Sequence, residues 1–457
     1  STVLDDVTLI PGEVLEVNGE VSGTWTTSFV YYVMGDITVP SGDSLTINPG
    51  VRVKFSEATG LTCDGKLKAL GTATEHVLFT SREPTPLPGD WDNIRLNSGY
   101  NTLSYVDYEW ASDGISGSNV TGTTIDYLTI NGTLSLSANG LFFNSGTDLT
   151  LTNNYVAVAG EYGIYAENAN SSYISTNTII TPSFGIRANY CTDCEVEDNI
   201  ITTGDNATGP DQGISTPNSN RIEIVDNQIV ADEYGIYSHN SFKSQVIGNN
   251  ITGRIYWSGI QFTSSDSSFV YQNHVQRTLH NASDDNWQYL INGDASEGSI
   301  IRKDTLIALE TYNWLYNNMS LRCAWSQVDS NYIEGVYYGG QQYAIYDGRN
   351  SNICDNEIIT TSYAWSTMNI IRSHSEGTYI NRIESNMISY DFLDHTRFQY
   401  AIWTQDNTII RNNSIDGDHM DRAIYAQNNC LIDSNTITGE FNQQGLIYVA
   451  GDTVSVY

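Results

Sequence analysis

Along most of the chain a polar and an aliphatic position recur as a fixed pair: an Asn, once an Asp, followed two residues later by Val, Ile or Leu. The members are Asn154, Asn177, Asn199, Asn227, Asn249, Asn273, Asp304, Asn331, Asn356, Asn386, Asn413 and Asn435, in steps of 22 to 31 residues. A repeat of that length without helical periodicity predicts the coils of a solenoid. A second phrase keeps step with the first: Gly163-Ile164-Tyr165, Gly185-Ile186, Gly213-Ile214, Gly235-Ile236-Tyr237, Gly259-Ile260, Leu315-Tyr316, Ala344-Ile345-Tyr346, Ala401-Ile402-Trp403, Ala423-Ile424-Tyr425 and Leu446-Ile447-Tyr448. In strands alternate residues face opposite ways, so each Ile stacks on the next inside a tube while the residue after it faces out. The Asn and its aliphatic partner share parity and both point inward. A buried amide is tolerated there because, in a column of identical turns, each can donate to the carbonyl of the Asn one coil away. The pattern predicts an all-β, parallel β-helix.

At about 25 residues per coil the chain would make about 18 coils of one elongated domain, residues 1–457. Within it, 1–98 read as opening coils, 99–150 as irregular coils and 151–457 as regular coils. Steps of 28, 31 and 30 residues place longer loops near Gly204–Gln212, Asn281–Gln288 and Ser362–Met368.

The opening region carries Val33 to Val39, then Gly42-Asp43-Ser44-Leu45-Thr46-Ile47-Asn48-Pro49-Gly50, Val51 to Phe55, Gly65 to Thr72, Leu78-Phe79-Thr80-Ser81 and Gly89-Asp90-Trp91. This order of phrases resembles the first coils of secreted right-handed parallel β-helix repeat proteins, which share a fold with pectate lyases. The Asn-x-Ile coils from 154 to 437 resemble their central coils. The resemblance implies a right-handed solenoid and leaves the function open, since one fold hosts many sites. The enzymes of that group are chiefly lyases and hydrolases of acidic polysaccharides. Their chemistry is not visible here: Asp284-Asp285 is the one Asp-Asp of the central coils, no His stands between two Gly, and no Arg-Ile-Lys occurs. Arg187, Arg302 and Lys303 are isolated as candidates for the base of a lyase. No catalytic residue is assigned, and a polysaccharide lyase or glycosidase stands as the alternative.

Charge narrows the partners. Asp and Glu outnumber Lys and Arg by 53 to 20, a net charge of −33, which repels nucleic acid and anionic membrane. No apolar run reaches the 18 residues of a membrane-crossing helix. The sequence begins at Ser1 with neither Met nor a signal segment, as expected of a processed chain. Sequons at Asn119, Asn131, Asn170, Asn206, Asn250, Asn281, Asn318 and Asn412 are candidates for N-glycosylation and agree with an extracellular or cell-surface address. The Cys-x-x-Cys at Cys191 and Cys194 lacks the βαβ setting of a redox motif and the second donor pair of a zinc site. A local disulfide, buried thiols or bridges between chains remain open for it.

Two constellations could carry function. Asp198 and Asp226 each precede a ladder Asn on consecutive coils, so stacking would bring them roughly 5 Å apart, suited to Ca2+ or Mg2+. The plain alternative is two turn acids coinciding in a chain rich in acids. The outward position after the ladder Ile is aromatic at Tyr165, Tyr237, Tyr316, Tyr346, Trp403, Tyr425 and Tyr448. Such rings can stack sugars or pack against another protein, or they reflect only the β propensity of Tyr. The sequence closes on Thr453-Val454-Ser455-Val456-Tyr457, still strand-like, with no polar or helical cap at either end. Uncapped coils predict a homopolymer: a subunit of an extracellular sheath, surface layer or filament joined through its ends and the aromatic face, with no cofactor required. In kind this is similar to the β-helical, amyloid-like sheath proteins of methanogenic archaea. The alternative is a protein that binds or degrades extracellular polysaccharide, with cell-surface glycans as partners.

Overall fold

A computed structural model describes residues 13–131, 138–204, 211–278, 288–294, 296–308, 318–338, 341–363, 367–375, 378–392, 400–440, 446–451 and 453–457. The chain is a parallel β-helix of about 16 turns with no helix among the described residues. The turn count is slightly below the expected 18. The chain divides into two compact units, Ser1–Asp211 and Gln212–Tyr457.

In the first unit one aliphatic column runs through Ile37, Leu61, Ile94, Ile115, Leu141, Ile164 and Ile186, each paired in parallel register with the next, and two others pass through Ile125, Leu151, Ile174 and Val196 and through Ile130, Val156, Ile179 and Ile201. Burying each such side chain contributes about 1.5–3 kcal/mol, which makes these columns a principal source of cohesion. The opening coils add aromatic filling: Trp91 stacks on Phe55 at 4.1 Å, and its indole N–H donates to Glu109 O at 2.7 Å. Gly163 precedes Ile164 for a steric reason. A Cβ there would press into Ile179 Cγ2 and Gly185 O of the neighbouring strands.

The second unit has three aliphatic columns, one per face of the coil. One runs Ile214, Ile236, Ile260, Ile291, Leu321, Ile345, Ile371, Ile402 and Ile424, all fully buried. The others pass through Ile224, Val246, Val270, Ile301, Val328 and Ile353, and through Ile229, Ile251, Val275, Leu306, Ile333 and Ile358. One register differs from expectation. The strand Asn318–Ala324 pairs Leu321 with Ile345, so Leu321-Arg322 occupies the place assigned to Leu315-Tyr316, which lies outside the described residues.

The Asn column forms the expected ladder inside both units. In the first, Asn154 Nδ2 donates to Asn177 Oδ1 and Asn177 Nδ2 to Asn199 Oδ1, both at 2.9 Å. In the second, Asn249 Nδ2 donates forward to Asn273 Oδ1 at 3.0 Å and back to Ile224 O at 2.8 Å, tying three coils together. The residue before each ladder Asn is left-handed, with φ between 53° and 66° from Asn153 to Ser434. That backbone favours Asn, Asp and Gly, and it sets the corner where the chain turns.

Two further polar columns were not foreseen. Ser219, Ser241, Ser265 and Ser296 each accept from, or donate to, the coil beside them, as in Ser241 N to Ser265 Oγ at 3.0 Å. Three residues on, Ser268 and Ser299 repeat the arrangement, Ser268 N donating to Ser299 Oγ at 3.2 Å. Buried hydroxyls at a corner satisfy the backbone amides that the turn removes from the sheet.

Candidate functional site

The outward positions of the second unit do not form an unbroken aromatic stripe. Following the register from Tyr237, the column reads Gln261, Asn292, Arg322, Tyr346, Arg372, Trp403, Tyr425 and Tyr448. From Arg322 onward it becomes a face in which guanidinium groups and rings are interleaved. Arg322 Cζ lies 5.9 Å from the Tyr346 ring, and Arg372 Cζ lies 5.3 Å from Tyr346 and 4.9 Å from Trp403. Trp403 and Tyr425 are parallel within 5° at 5.9 Å, and Tyr425 stacks on Tyr448 at 5.3 Å. Arg422 closes the row, its Cζ 3.9 Å above Tyr448. Spacing near the inter-strand distance follows from the fold, because each coil contributes one side chain to the column.

A second row fixes the first from behind. Tyr343 is buried and packs 4.6 Å from Tyr346, while Tyr400 packs 5.1 Å from Tyr425. The Arg372 guanidinium donates to the Tyr343 phenol at 3.0 Å, and Arg322 pairs with Asp294 at 2.8 Å. Burial holds the phenols of Tyr289, Tyr343 and Tyr400 above their usual pKa, so they remain neutral at physiological pH. Rings held in this way lose little freedom when a ligand stacks on them. Tyr346, Trp403 and Tyr425 are half-buried and Tyr448 is exposed, leaving ring surface open along the face.

The other aromatic positions stand apart. Tyr165, in the first unit, stacks on Phe142 at 4.5 Å with Tyr162 edge-on at 4.9 Å, and Arg187 lies 4.9 Å from the Phe184 ring. Tyr237 packs against Tyr234 at 5.3 Å and His239 at 6.1 Å. Register signals for the arginines existed in the sequence: Leu321-Arg322 and Ile371-Arg372 keep the coil step, but an outward Arg reads as ordinary surface charge.

Asp198 and Asp226 fall one in each unit, and each is the left-handed residue of its corner, with φ of 54° and 53°. Asp226 N donates to Ile247 O at 2.9 Å. Their place before the ladder Asn thus has a backbone cause. No group of three or more His, Cys, Asp or Glu converges on a common point among the described residues.

Cys191 and Cys194 are free buried thiols that stand where other coils carry Ser. Cys191 Sγ approaches Ala166 O at 3.4 Å and Cys194 Sγ approaches Ala169 O at 2.8 Å. Ser265 and Ser268 make the same pair of bonds, to Ser238 O and Ser241 O. A hydrogen bond from Cys191 to Cys194 raises the pKa of the donor thiol and lowers that of the acceptor. Among the sequons, Asn119, Asn131, Asn250 and Asn412 are exposed and Asn170 is half-buried. Asn206 and Asn281 lie outside the described residues, as does the Asn318 side chain.

Comparison with known proteins places these features in a family. A 75-residue stretch is 39% identical to Protein bark beetle of Drosophila melanogaster, covering 15% of this chain and 2% of that protein. The chain therefore spans a small fraction of the relative it matches. Among solved structures it resembles the Dettilon tailspike protein (gp208) at 16% identity, with 70% and 60% of the two chains covered and a TM-score of 0.35. It also resembles PfbA, a surface adhesin of Streptococcus pneumoniae, at 12% identity, with 95% and 83% covered and a TM-score of 0.26. The sequence profile described as periplasmic copper-binding protein (NosD) matches residues 94–348, more than half of the chain. With its parallel coils, its Asn ladder and that match, the chain belongs to the NosD family.

Proposed function

We propose that this protein binds an extended glycan outside the cytoplasm, along the face from Arg322 to Tyr448. The observation that carries the reading is the row Tyr346, Trp403, Tyr425 and Tyr448, locked from behind by Tyr343 and Tyr400. A sugar chain laid along the coils would meet one ring per turn from Trp403 to Tyr448, with the Arg372 guanidinium between Trp403 and Tyr346, and pyranose faces stack on aromatic rings as other apolar surfaces do. The test is affinity electrophoresis of the full chain through a panel of polysaccharides. Trp403→Ala should weaken binding by about tenfold or more, as truncation of a central aromatic anchor does. Unaltered retardation would count against the face.

The copper in the family's description does not fit the residues present. Copper takes thiolate, thioether or imidazole donors converging on one point; the two adjacent thiols, Cys191 and Cys194, are buried and engaged with backbone carbonyls, and no group of three or more His, Cys, Asp or Glu gathers among the described residues. A second reading, a subunit of an extracellular sheath or layer, is supported by the exposed apolar side chains Tyr155, Ile180 and Ile200 in the first unit, which lateral packing against a second copy would cover. Sedimentation that grows with protein concentration supports it; a constant monomer excludes it.

A further inference from the structure

Four arginines elsewhere in the second unit are neutralised by their own chain. Arg254 pairs with Asp232, Arg302 with Asp329 at 2.5 Å, Arg382 with Glu384 at 3.2 Å and Arg411 with Asp433 at 3.0 Å. This is the expected state in a protein where acids outnumber bases by 53 to 20. On the aromatic face Arg322 keeps to this pattern through Asp294, but two arginines depart from it. Arg372 and Arg422 have no carboxylate of the described residues within ion-pair distance and lie instead on rings, Arg372 between Tyr346 and Trp403, Arg422 over Tyr448.

A guanidinium set against an aromatic face keeps its N–H edge available, and the ring quadrupole holds it in place without cancelling its charge. Arg372 spends one N–H on the Tyr343 phenol, and its other donors meet no described acceptor. Two uncancelled cations therefore point to a complementary anion in the bound chain.

We infer that the glycan taken by this face is anionic, with Arg372 and Arg422 receiving carboxylate or sulfate groups while Tyr346, Trp403 and Tyr425 stack its rings. The inference rests on the glycan reading above. Arg372 and Tyr448 are three coils apart in register, roughly 14 Å along the column, so the face offers one cation per several sugar rings. That spacing is met by a polysaccharide that carries an acid group at least once in every few sugars. It is not the spacing of duplex nucleic acid, with a charge every ~1.7 Å of axis.

The experiment compares one polymer in two forms: polygalacturonate, and the same backbone with its carboxyl groups reduced to neutral alcohols. Titration calorimetry of the full chain should give about tenfold or tighter binding of the acidic form. In the double variant Arg372→Gln/Arg422→Gln that ratio should fall toward one. Arg411→Gln, which removes a paired charge off the face, should preserve it and controls for net charge. Circular dichroism establishes that the double variant is folded, and the single variants Arg372→Gln and Arg422→Gln, each expected to lower the ratio, serve in its place if it is not. Equal binding of both polymers overturns the anionic assignment and leaves the glycan reading standing. Binding of neither polymer, in a protein that also binds no other polysaccharide, overturns both. Polyglutamate or an oligonucleotide binding more tightly than the acidic sugar assigns the face to another class of polyanion and overturns the inference.

Discussion

Replacing Asp304 by Asn should stabilise the second unit by an amount that grows with pH. Asp304 is the one acid in the Asn column, fully inside the tube. Its Oδ1 accepts from Asn273 N at 2.8 Å and Asn273 Nδ2 at 2.9 Å, as a ladder Asn would. Its Oδ2 stands where other coils place an amide donor and has no partner among the described residues. By the pattern of Asn273 Nδ2 to Val246 O and Asn331 Nδ2 to Ile301 O, that atom faces acceptors, so the column is complete only while the carboxyl keeps its proton. Burial accordingly pushes its pKa up to about 7. A carboxyl raised in the folded state binds its proton there more tightly than in the unfolded chain. Stability from this group is therefore greatest below about pH 4, falls as pH rises toward 7 and is level beyond. Three pH units correspond to a loss on the order of 4 kcal/mol. Asp304→Asn does not titrate and restores both donors. The two proteins should differ by about 1 kcal/mol at pH 4, the worth of a hydrogen bond, and by several kcal/mol at pH 8. Urea unfolding followed by near-ultraviolet circular dichroism at intervals between these limits measures the difference. A gap that stays level across the range would refute the reasoning.

Other perturbations test the columns directly. Ile236→Asp places a charge between Ile214 and Ile260 and should cost more than about 4 kcal/mol, read as a lowered urea midpoint or loss of soluble protein. Gly235→Ala drives a methyl group into Ile251 Cγ2 and Gly259 O; a loss of about 1–3 kcal/mol is expected, and a neutral result would show that the strands can separate. Cys191→Ser/Cys194→Ser should change stability by no more than about 1 kcal/mol, because serines at the equivalent corners make the same bonds. The buried Cys63, with its pKa pushed up to about 12, should resist alkylation at pH 8 until the chain is unfolded, as mass spectrometry would record.

The ladders were legible because stacking favours chemical likeness: an amide is best met by an amide or a carboxyl above it, and an Ile by another aliphatic side chain. Positions facing outward obey no such demand. Arg322 and Arg372 therefore escaped a search for aromatic residues, although both occupy the same column as Tyr346 and Trp403. Leu315-Tyr316 matches the phrase by its ring, whereas the strand pairing is decided by the aliphatic residue that reaches the core, Leu321. The serine corners were legible in principle. Ser241-x-x-Ser244, Ser265-x-x-Ser268 and Ser296-x-x-Ser299 recur in step with the Asn, but in a chain full of Ser and Thr the signal sinks into composition. Asp198 and Asp226 read as a charged pair, and each is also the left-handed residue of its corner, a backbone reason for an Asp that the sequence alone does not display.

The Asn ladder also has a meaning for how such a protein changes length. Each amide bonds to its neighbours in the same manner whether the intervening stretch holds 22 residues, as between Asn227 and Asn249, or 31, as between Asn273 and Asp304. A coil is thus an interchangeable module: excising residues 228–249 would bring Asn227 against Asn273 with no new chemistry at the joint. On the proposed glycan reading, duplicating a coil in the ring-bearing region would add another place for a sugar without disturbing those already there. Gene rearrangements in whole turns can therefore change the length of the protein, and with it of any ligand-binding face, while the rule that holds it together stays fixed.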